Sequence, residues 1–473
     1  MCMHMHSDLY SKLTPGSGFD LRVMTTGNEK EACYFYINCH FSDLECDCLY
    51  IPVYEAQGKY LPNVLQPEEK VQLTEKLKDL ADAIASQGEW NQYLLKQLQG
   101  LKMELEGNNK MDIFKREPIN DNLGSEIQIP ILMIACNRPE ALRASLKNLI
   151  DTRPSSSRFP IVVSQDCMHQ PTADVVRSFG NEIKHFTQQP DQSPIKDLKP
   201  KEKKLEGYYK ISRHYKWALT QVFDIKGYKA AIIVEDDLVF AKDFFEYMEA
   251  LYPYLMKDPS LFCVSAWNDN GKESMVDNSQ NEKLYRTDFF PGLGWMITSN
   301  LWSELRDKWP KGFWDDWLRQ PDQRRDRQCI RPEIPRTEIS PHGKKGVSKG
   351  QFFDKHLKFI KMNTKFVPFT KLDLSYLTKD RYDSEWVKGI YKLPLVSIND
   401  VLKNTNPSHK EVRIEYVTKN DFKSLAKRMG IMDDFKSGVP RMGYRGIIPF
   451  LLNKKRVYFS PPSTWTKYDT SWS

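Results

Sequence analysis

The chain has no run of 18 or more apolar residues, so no membrane span is visible in it. Its start, Met1-Cys2-Met3-His4-Met5-His6, lacks the basic region and apolar core of a secretory signal. No arginine-rich arm, zinc finger or other nucleic-acid module is present, which takes nucleic acid off the list of expected partners. No internal repeat is evident. Cysteine is sparse, 9 in 473 residues, and falls into two groups. Cys2, Cys33, Cys39, Cys46 and Cys48 come early, and with His40 their spacing fits no common zinc pattern. Cys136, Cys167, Cys263 and Cys329 form an even set, compatible with two disulfides whose pairing the spacing cannot assign.

With 40% hydrophobic and 28% charged residues, the chain is an ordinary globular sequence, long enough for one large core plus an attachment or for two or three domains. A net charge of +7 favours an anionic ligand or an acidic surface. Residues 1–65 show no convincing period and form an atypical N-terminal segment. Across 66–125, Leu73, Leu77, Leu80 and Ile84, then Leu94, Leu98, Leu101 and Leu105, recur at helical spacing. That stretch reads as a helical stem and linker, either a short coiled coil or an amphipathic helix packed on the main domain. From 126 to 394, apolar strands at 131–135, 159–164 and 231–234 alternate with helical stretches at 139–150, 205–222, 243–251 and 301–309. The alternation predicts an α/β fold with a largely parallel sheet. Residues 395–473 read as a smaller α+β domain, with a strand at 411–417, a helix at 421–429 and a hairpin over 446–459.

The run Ala231-Ile232-Ile233-Val234-Glu235-Asp236-Asp237 ends a buried strand in three acids. Open α/β sheets bind ligands at the carboxyl ends of their strands, and Mg²⁺ or Mn²⁺ needs only one or two carboxylates when the ligand brings a diphosphate. An acidic surface turn is the alternative. If the segment stays extended, Asp236 and Asp237 point to opposite sides. Gly292-Leu293-Gly294, set among aromatics, is either a close approach to a ligand or a packing turn. In Phe313-Trp314-Asp315-Asp316-Trp317, aromatics can pack on a sugar while an acid takes a proton; helix capping is the alternative. The basic stretch Gly343–Gly350, with Arg324, Arg325, Arg327 and Arg331 before it, either closes over phosphate or is a solvated loop. His214 is a lone helical histidine, structural or catalytic.

Taken in order, Val234–Leu238, Val264-Ser265-Ala266-Trp267-Asn268-Asp269-Asn270-Gly271-Lys272, Phe289–Trp295, Phe313–Trp317 and Gly350-Gln351-Phe352-Phe353 resemble the N-acetylglucosaminyltransferase I family over about residues 128–473. The resemblance implies a GT-A nucleotide-sugar fold and Mn²⁺. It implies transfer of N-acetylglucosamine from UDP-N-acetylglucosamine to the α1,3-arm mannose of a five-mannose N-glycan on glycoproteins, giving a β1,2 linkage with inversion. It makes Asp237 the metal ligand and Asp315 the general base, with Asp316 the supporting alternative. Glu235 and Asp236 contact the donor sugar and ribose; Arg138, Asp166 and His214 hold the uridine; Leu293 lies beside the donor sugar. Val347 and Ser348 belong to a loop over the diphosphate, although 338–342 departs from the family's usual loop. It pairs Cys136 with Cys167 and Cys263 with Cys329, as suits an oxidising lumen. The family is a single-pass type II Golgi membrane protein; residues 1–65 do not resemble its anchor, whereas the leucine-striped stretch is similar to its stem.

Overall fold

The computed structural model describes residues 127–187, 195, 198–346 and 350–472, and two strands nearer the N-terminus. The chain divides into two compact units, Met1–Arg116 and Glu117–Ser473. In the first, strands β1 (Phe19–Met24) and β2 (Tyr34–Cys39) pair antiparallel, with Phe19 opposite Cys39. No period in the sequence announced that hairpin. The leucine stripe, Cys46 and Cys48 lie outside the described residues. Among the described residues, no helix is long and apolar enough to cross a membrane.

The second unit is built on an eight-stranded sheet. Its strands are β3 (Ile131–Ala135), β4 (Ile161–Gln165), β5 (Ile183–Thr187), β6 (Ala230–Glu235), β8 (Leu261–Ser265), β9 (Leu284–Thr287), β10 (Trp295–Thr298) and β11 (Gln328–Pro332), in the order β5-β4-β3-β6-β10-β8-β11-β9. β3, β4, β5 and β6 are mutually parallel, as expected. Beyond β6 the expectation of a largely parallel sheet fails: β10 runs antiparallel to both β6 and β8, and β9 antiparallel to β11. The sheet is mixed because no crossover helix lies between β8 and β9, so the chain returns in the opposite direction, and both β9 and β10 run against the other six strands. A short pair, β7 (Leu238–Phe240) with β12 (Thr337–Ile339), lies just past the acidic turn.

Both faces of the parallel half are covered, which is why its strands read as unbroken apolar runs. Met133, Val163 and Val234 pack with Leu142, Leu146 and Leu149 of the Pro139–Thr152 helix and with the Phe244–Lys257 helix. Leu132, Val162 and Ile233 face the other way, onto Tyr215, Ala218 and Leu219 of the Glu206–Thr220 helix. Pro139 opens the first helix, where its missing N–H costs nothing.

Toward the C-terminus, β13 (Glu411–Glu415), β16 (Ile448–Leu452) and β17 (Lys455–Ser460) form a three-stranded sheet, with β16 and β17 as the expected hairpin and β13 parallel to β17. The Lys419–Met429 helix closes its core with Phe422 and Ala426. Thr418 and Asp421 cap that helix reciprocally, and Gly430 ends it. A two-residue pair, β14 (Phe435–Lys436) and β15 (Val439–Pro440), leads back toward the main sheet.

Two disulfides join Cys136 to Cys167 and Cys263 to Cys329, the pairing the resemblance implies. The first ties the ends of β3 and β4; the second links neighbouring β8 and β11. Under β12, Arg336 is fully buried and donates to the equally buried Asp243 at 3.1 Å. Arg336 also donates to the Ile334 and Asn281 carbonyls and lies over the Phe369 ring. Removing one partner of such a pair strands the other charge without water. Replacing Arg336 by Met should therefore destabilise the protein by about 3–5 kcal/mol. A urea titration would read this as a lower midpoint at unchanged slope.

Candidate active site

The acidic strand end is not extended. β6 stops at Glu235, Asp236 and Asp237 form a turn, and β7 starts at Leu238. The two aspartates therefore do not part to opposite sides. Arg138 bonds both: one guanidinium nitrogen reaches Asp237 at 2.7 Å and the other contacts Asp236. Arg138 can reach them because β3 lies beside β6, with Ile134 opposite Glu235, and Arg138 comes three residues after β3 ends. Burial pulls the Arg138 pKa down, but the charges of Asp237 and Asp236 outweigh it and raise it.

The acids are held at a cost. Burial pushes the Glu235 carboxyl up to about 7; Asp237 adds to the shift, and the Tyr215 hydrogen bond and Arg138 oppose it. Asp236 is likewise pushed up to about 7 by burial, against the pull of Arg138. Tyr215, fully buried, donates its hydroxyl to Glu235 at 2.9 Å. Two carboxylates on one guanidinium, with Glu235 beside them, form a hard-oxygen site that a cation can share. Among the described residues, no three His, Cys, Asp or Glu gather to hold a metal by themselves. The donor set thus fits a cation that shares one carboxylate with a diphosphate. The approach to Asp237 is tight: a Cβ added to Gly343 would stand 3.2 Å from its Oδ2. The Ser340 amide donates to the Asp237 carbonyl at 2.8 Å, so the start of the basic loop is anchored on the acidic turn.

The other expected donor residues gather at the same strand ends. The Asp166 amide donates to the Ala135 carbonyl at 2.9 Å, and its carboxylate accepts from the Cys167 amide at 2.8 Å. His214 is buried and shares a 2.8 Å hydrogen bond with Ser164. Burial pulls its pKa down to about 4 against the opposing charge of Asp166, so the ring is neutral near pH 7. Gly292, Leu293 and Gly294 are all left-handed, with φ of 69°, 52° and 90°. β10 begins directly after this turn and pairs Trp295 with Ile233, so the turn leads into the strand beside the acidic one. Val347 and Ser348 lie outside the described residues.

Asp315 and Asp316 sit on the short Trp314–Leu318 helix. Arg319, one turn on, donates to Asp315 Oδ2 and Asp316 Oδ1, both at 2.8 Å. Lys436 on β14 takes the other Asp316 oxygen at 2.8 Å. Burial would raise the Asp316 pKa, but Arg319 and Lys436 lower it overall. With both oxygens engaged by cations, Asp316 is a poor proton acceptor, which leaves Asp315 as the better candidate. The aromatic flank differs from expectation. Trp314 is buried, stacked on Tyr215 with centroids 4.1 Å apart and on Trp295 at 6.0 Å, so it belongs to the core. Arg324 and Arg331 are also buried, over the rings of Tyr468 and Tyr285, and Arg327 pairs with Glu304. These cations hold packing together and do not line a phosphate site.

Tyr215, Arg319 and Lys436 went unnoticed in the sequence. Arg319 carried a signal, its i,i+4 spacing from Asp315. Tyr215 carried a fainter one, beside His214 on the helix. Lys436, 120 residues from Asp316, carried none.

A family model described as GNT-I family matches residues 50–472. The alpha-1,3-mannosyl-glycoprotein 2-beta-N-acetylglucosaminyltransferase of Arabidopsis thaliana is 39% identical over 332 residues, 70% of this chain and 72% of that protein. Among solved structures, S. aureus TarS is 11% identical, covering 64% of this chain and 49% of its own, with a TM-score of 0.31. The mannosyltransferase PcManGT from Pyrobaculum calidifontis, in complex with GDP-Man and Mn²⁺, is 14% identical over 60% of this chain and 81% of its own, with a TM-score of 0.30. Structural likeness at that level carries no weight. The family match and the plant relative do: with a GT-A fold whose acidic turn closes the central strand, this chain belongs to the GNT-I family.

Proposed function

We propose that this chain transfers N-acetylglucosamine from UDP-N-acetylglucosamine to the α1,3-arm mannose of a five-mannose N-glycan, inverting the anomeric centre to give a β1,2 linkage. The observation that carries it is the 39% identity to the plant enzyme across 70% of the chain. The division into an atypical segment 1–65, a stem 66–125, a nucleotide-sugar domain 126–394 and a C-terminal domain 395–473 belongs to the same proposal. So does a Golgi lumen setting, supported by two disulfides.

Asp237 would hold a divalent cation, Mn²⁺ in this proposal, whose chemistry is to neutralise charge on the departing diphosphate. Arg138, Asp166 and His214 bind the uridine part, with the imidazole kept neutral by burial. Glu235 and Asp236 orient the donor sugar and ribose, and Leu293 packs beside the sugar. Val347 and Ser348 lie on the loop that excludes water over the phosphates. Asp315 accepts the proton of the mannose 2-hydroxyl as that oxygen bonds to the anomeric carbon. The bond to the UDP oxygen breaks on the opposite side, and the electron pair leaves with UDP. One base suffices for inversion; a retaining enzyme would need a second carboxylate placed to form a covalent intermediate.

Incubation with UDP-N-acetylglucosamine, Mn²⁺ and a five-mannose glycan should yield β1,2-linked N-acetylglucosamine on the α1,3 arm by linkage analysis. A different linkage or arm would overturn the assignment. Asp315→Asn should lower kcat by about 10²–10⁴-fold while UDP affinity barely moves. Matching losses in both would remove Asp315 as the base. Asp237→Ala should abolish the manganese dependence of donor binding in a calorimetric titration. A variant that still needs the metal as the wild type does would free residue 237 of that role.

A further inference from the structure

Phe313 precedes the helix that carries Asp315, and its backbone is left-handed, with φ 53°. A bulky residue is strained there and persists only where its surroundings fix it. Two tyrosines fix it. The Phe313 ring stacks on Tyr208 with centroids 4.8 Å apart and planes at 16°, and meets Tyr209 edge-on at 5.7 Å. Gly312 lets the chain come this close, because a Cβ there would stand 2.8 Å from the Tyr209 ring. The turn sends neighbouring rings to opposite sides. Trp314 enters the core, while Phe313 and Tyr208 remain half-buried at the surface.

The Glu206–Thr220 helix gives the arrangement a scale. Tyr208 and Tyr215 are seven residues apart, so they share one stripe, about 10 Å apart along the axis. Tyr215 marks the closed end, bonded to Glu235 and stacked on Trp314. Tyr208 marks the open end, stacked on Phe313. Asp315 follows directly on Phe313 and Trp314, the two residues that stack on the open and the closed end. Burial raises the hydroxyl pKa of both tyrosines, and the Asp315 charge adds to the shift in each. The open pair sits at the surface, its Phe313 two residues before Asp315, where a sugar offering its hydroxyl to that acid can meet it. Pyranose rings present C–H faces, and an aromatic pair offers the matching apolar surface.

We propose that Tyr208 and Phe313 form the wall on which the acceptor hexose rests while its hydroxyl faces Asp315, so that the pair sets acceptor affinity without touching the donor. This rests on Asp315 being the base. Phe313→Gly removes the ring at a φ that glycine accepts freely, and Tyr208→Leu removes the other face. Each should raise the KM for the five-mannose acceptor by about tenfold, the factor a lost ring contact is worth, with the donor Kd unchanged. Tyr208→Phe keeps the face and should restore the acceptor KM. An unchanged acceptor KM in both ring deletions would overturn the proposal, as would a parallel loss of donor affinity or the same defect in Tyr208→Phe. An unchanged donor Kd also shows that the variants are folded; if one unfolds, the other decides. A wild-type protein that binds the donor yet transfers nothing to the glycan would instead sink the function proposed above, and this wall with it.

Discussion

The site depends on one guanidinium answering two carboxylates. Arg138 spans Asp236 and Asp237 where the central strand gives way to a turn. Without it, desolvated carboxylates would stand side by side in a region where burial already drives Glu235 and Asp236 toward protonation. Its position follows from covalent and local constraints. Cys136, two residues before it, is tied to Cys167, and Pro139, directly after it, starts a helix. Strand, disulfide and helix start thus fix the backbone on both sides of one arginine. The divalent cation proposed at Asp237 would compete with a protein cation already bonded to that carboxylate.

The strand ends and the Glu206–Thr220 helix divide the remaining work. The parallel half of the sheet brings Arg138, Asp166 and Glu235 to one edge, because adjacent parallel strands end together. The helix crosses behind that edge and gives it His214 and Tyr215, both buried. Its first turns leave the core and meet Phe313. One element therefore runs from the buried strand ends to open solvent, and Trp314 of the short Asp315 helix stacks on its Tyr215.

What could be read from the sequence was whatever repeats locally. Apolar runs gave the strands, helical spacing gave Pro139–Thr152 and Lys419–Met429, and the acids at a strand end gave the site its centre. The long motifs gave the family, and with it both disulfides. The misses share a cause, since each depends on where two distant segments meet. The antiparallel β10 depends on its neighbours β6 and β8, not on its own residues. Trp314 looks from sequence like a sugar platform, yet its ring lies between Tyr215 and Trp295. Arg324 and Arg331 look like a basic patch, yet both are packed over tyrosine rings.

The C-terminal segment matters most where these distant contacts converge. Lys436 on β14 holds Asp316, and Arg441 just beyond β15 donates to Asp269 of the Trp267–Lys272 motif at 3.1 Å and to Asp434 at 2.7 Å. The Asn270 side chain accepts the Met432 amide at 3.1 Å. These links tie the segment both to the acid-bearing helix and to the Val264–Lys272 stretch. With Arg319 on one oxygen of Asp316, Lys436 takes the other, so both are engaged by cations while Asp315 meets Arg319 alone. Under the proposed mechanism this difference, which favours Asp315 as the base, comes from a lysine more than a hundred residues away that the local motif does not contain.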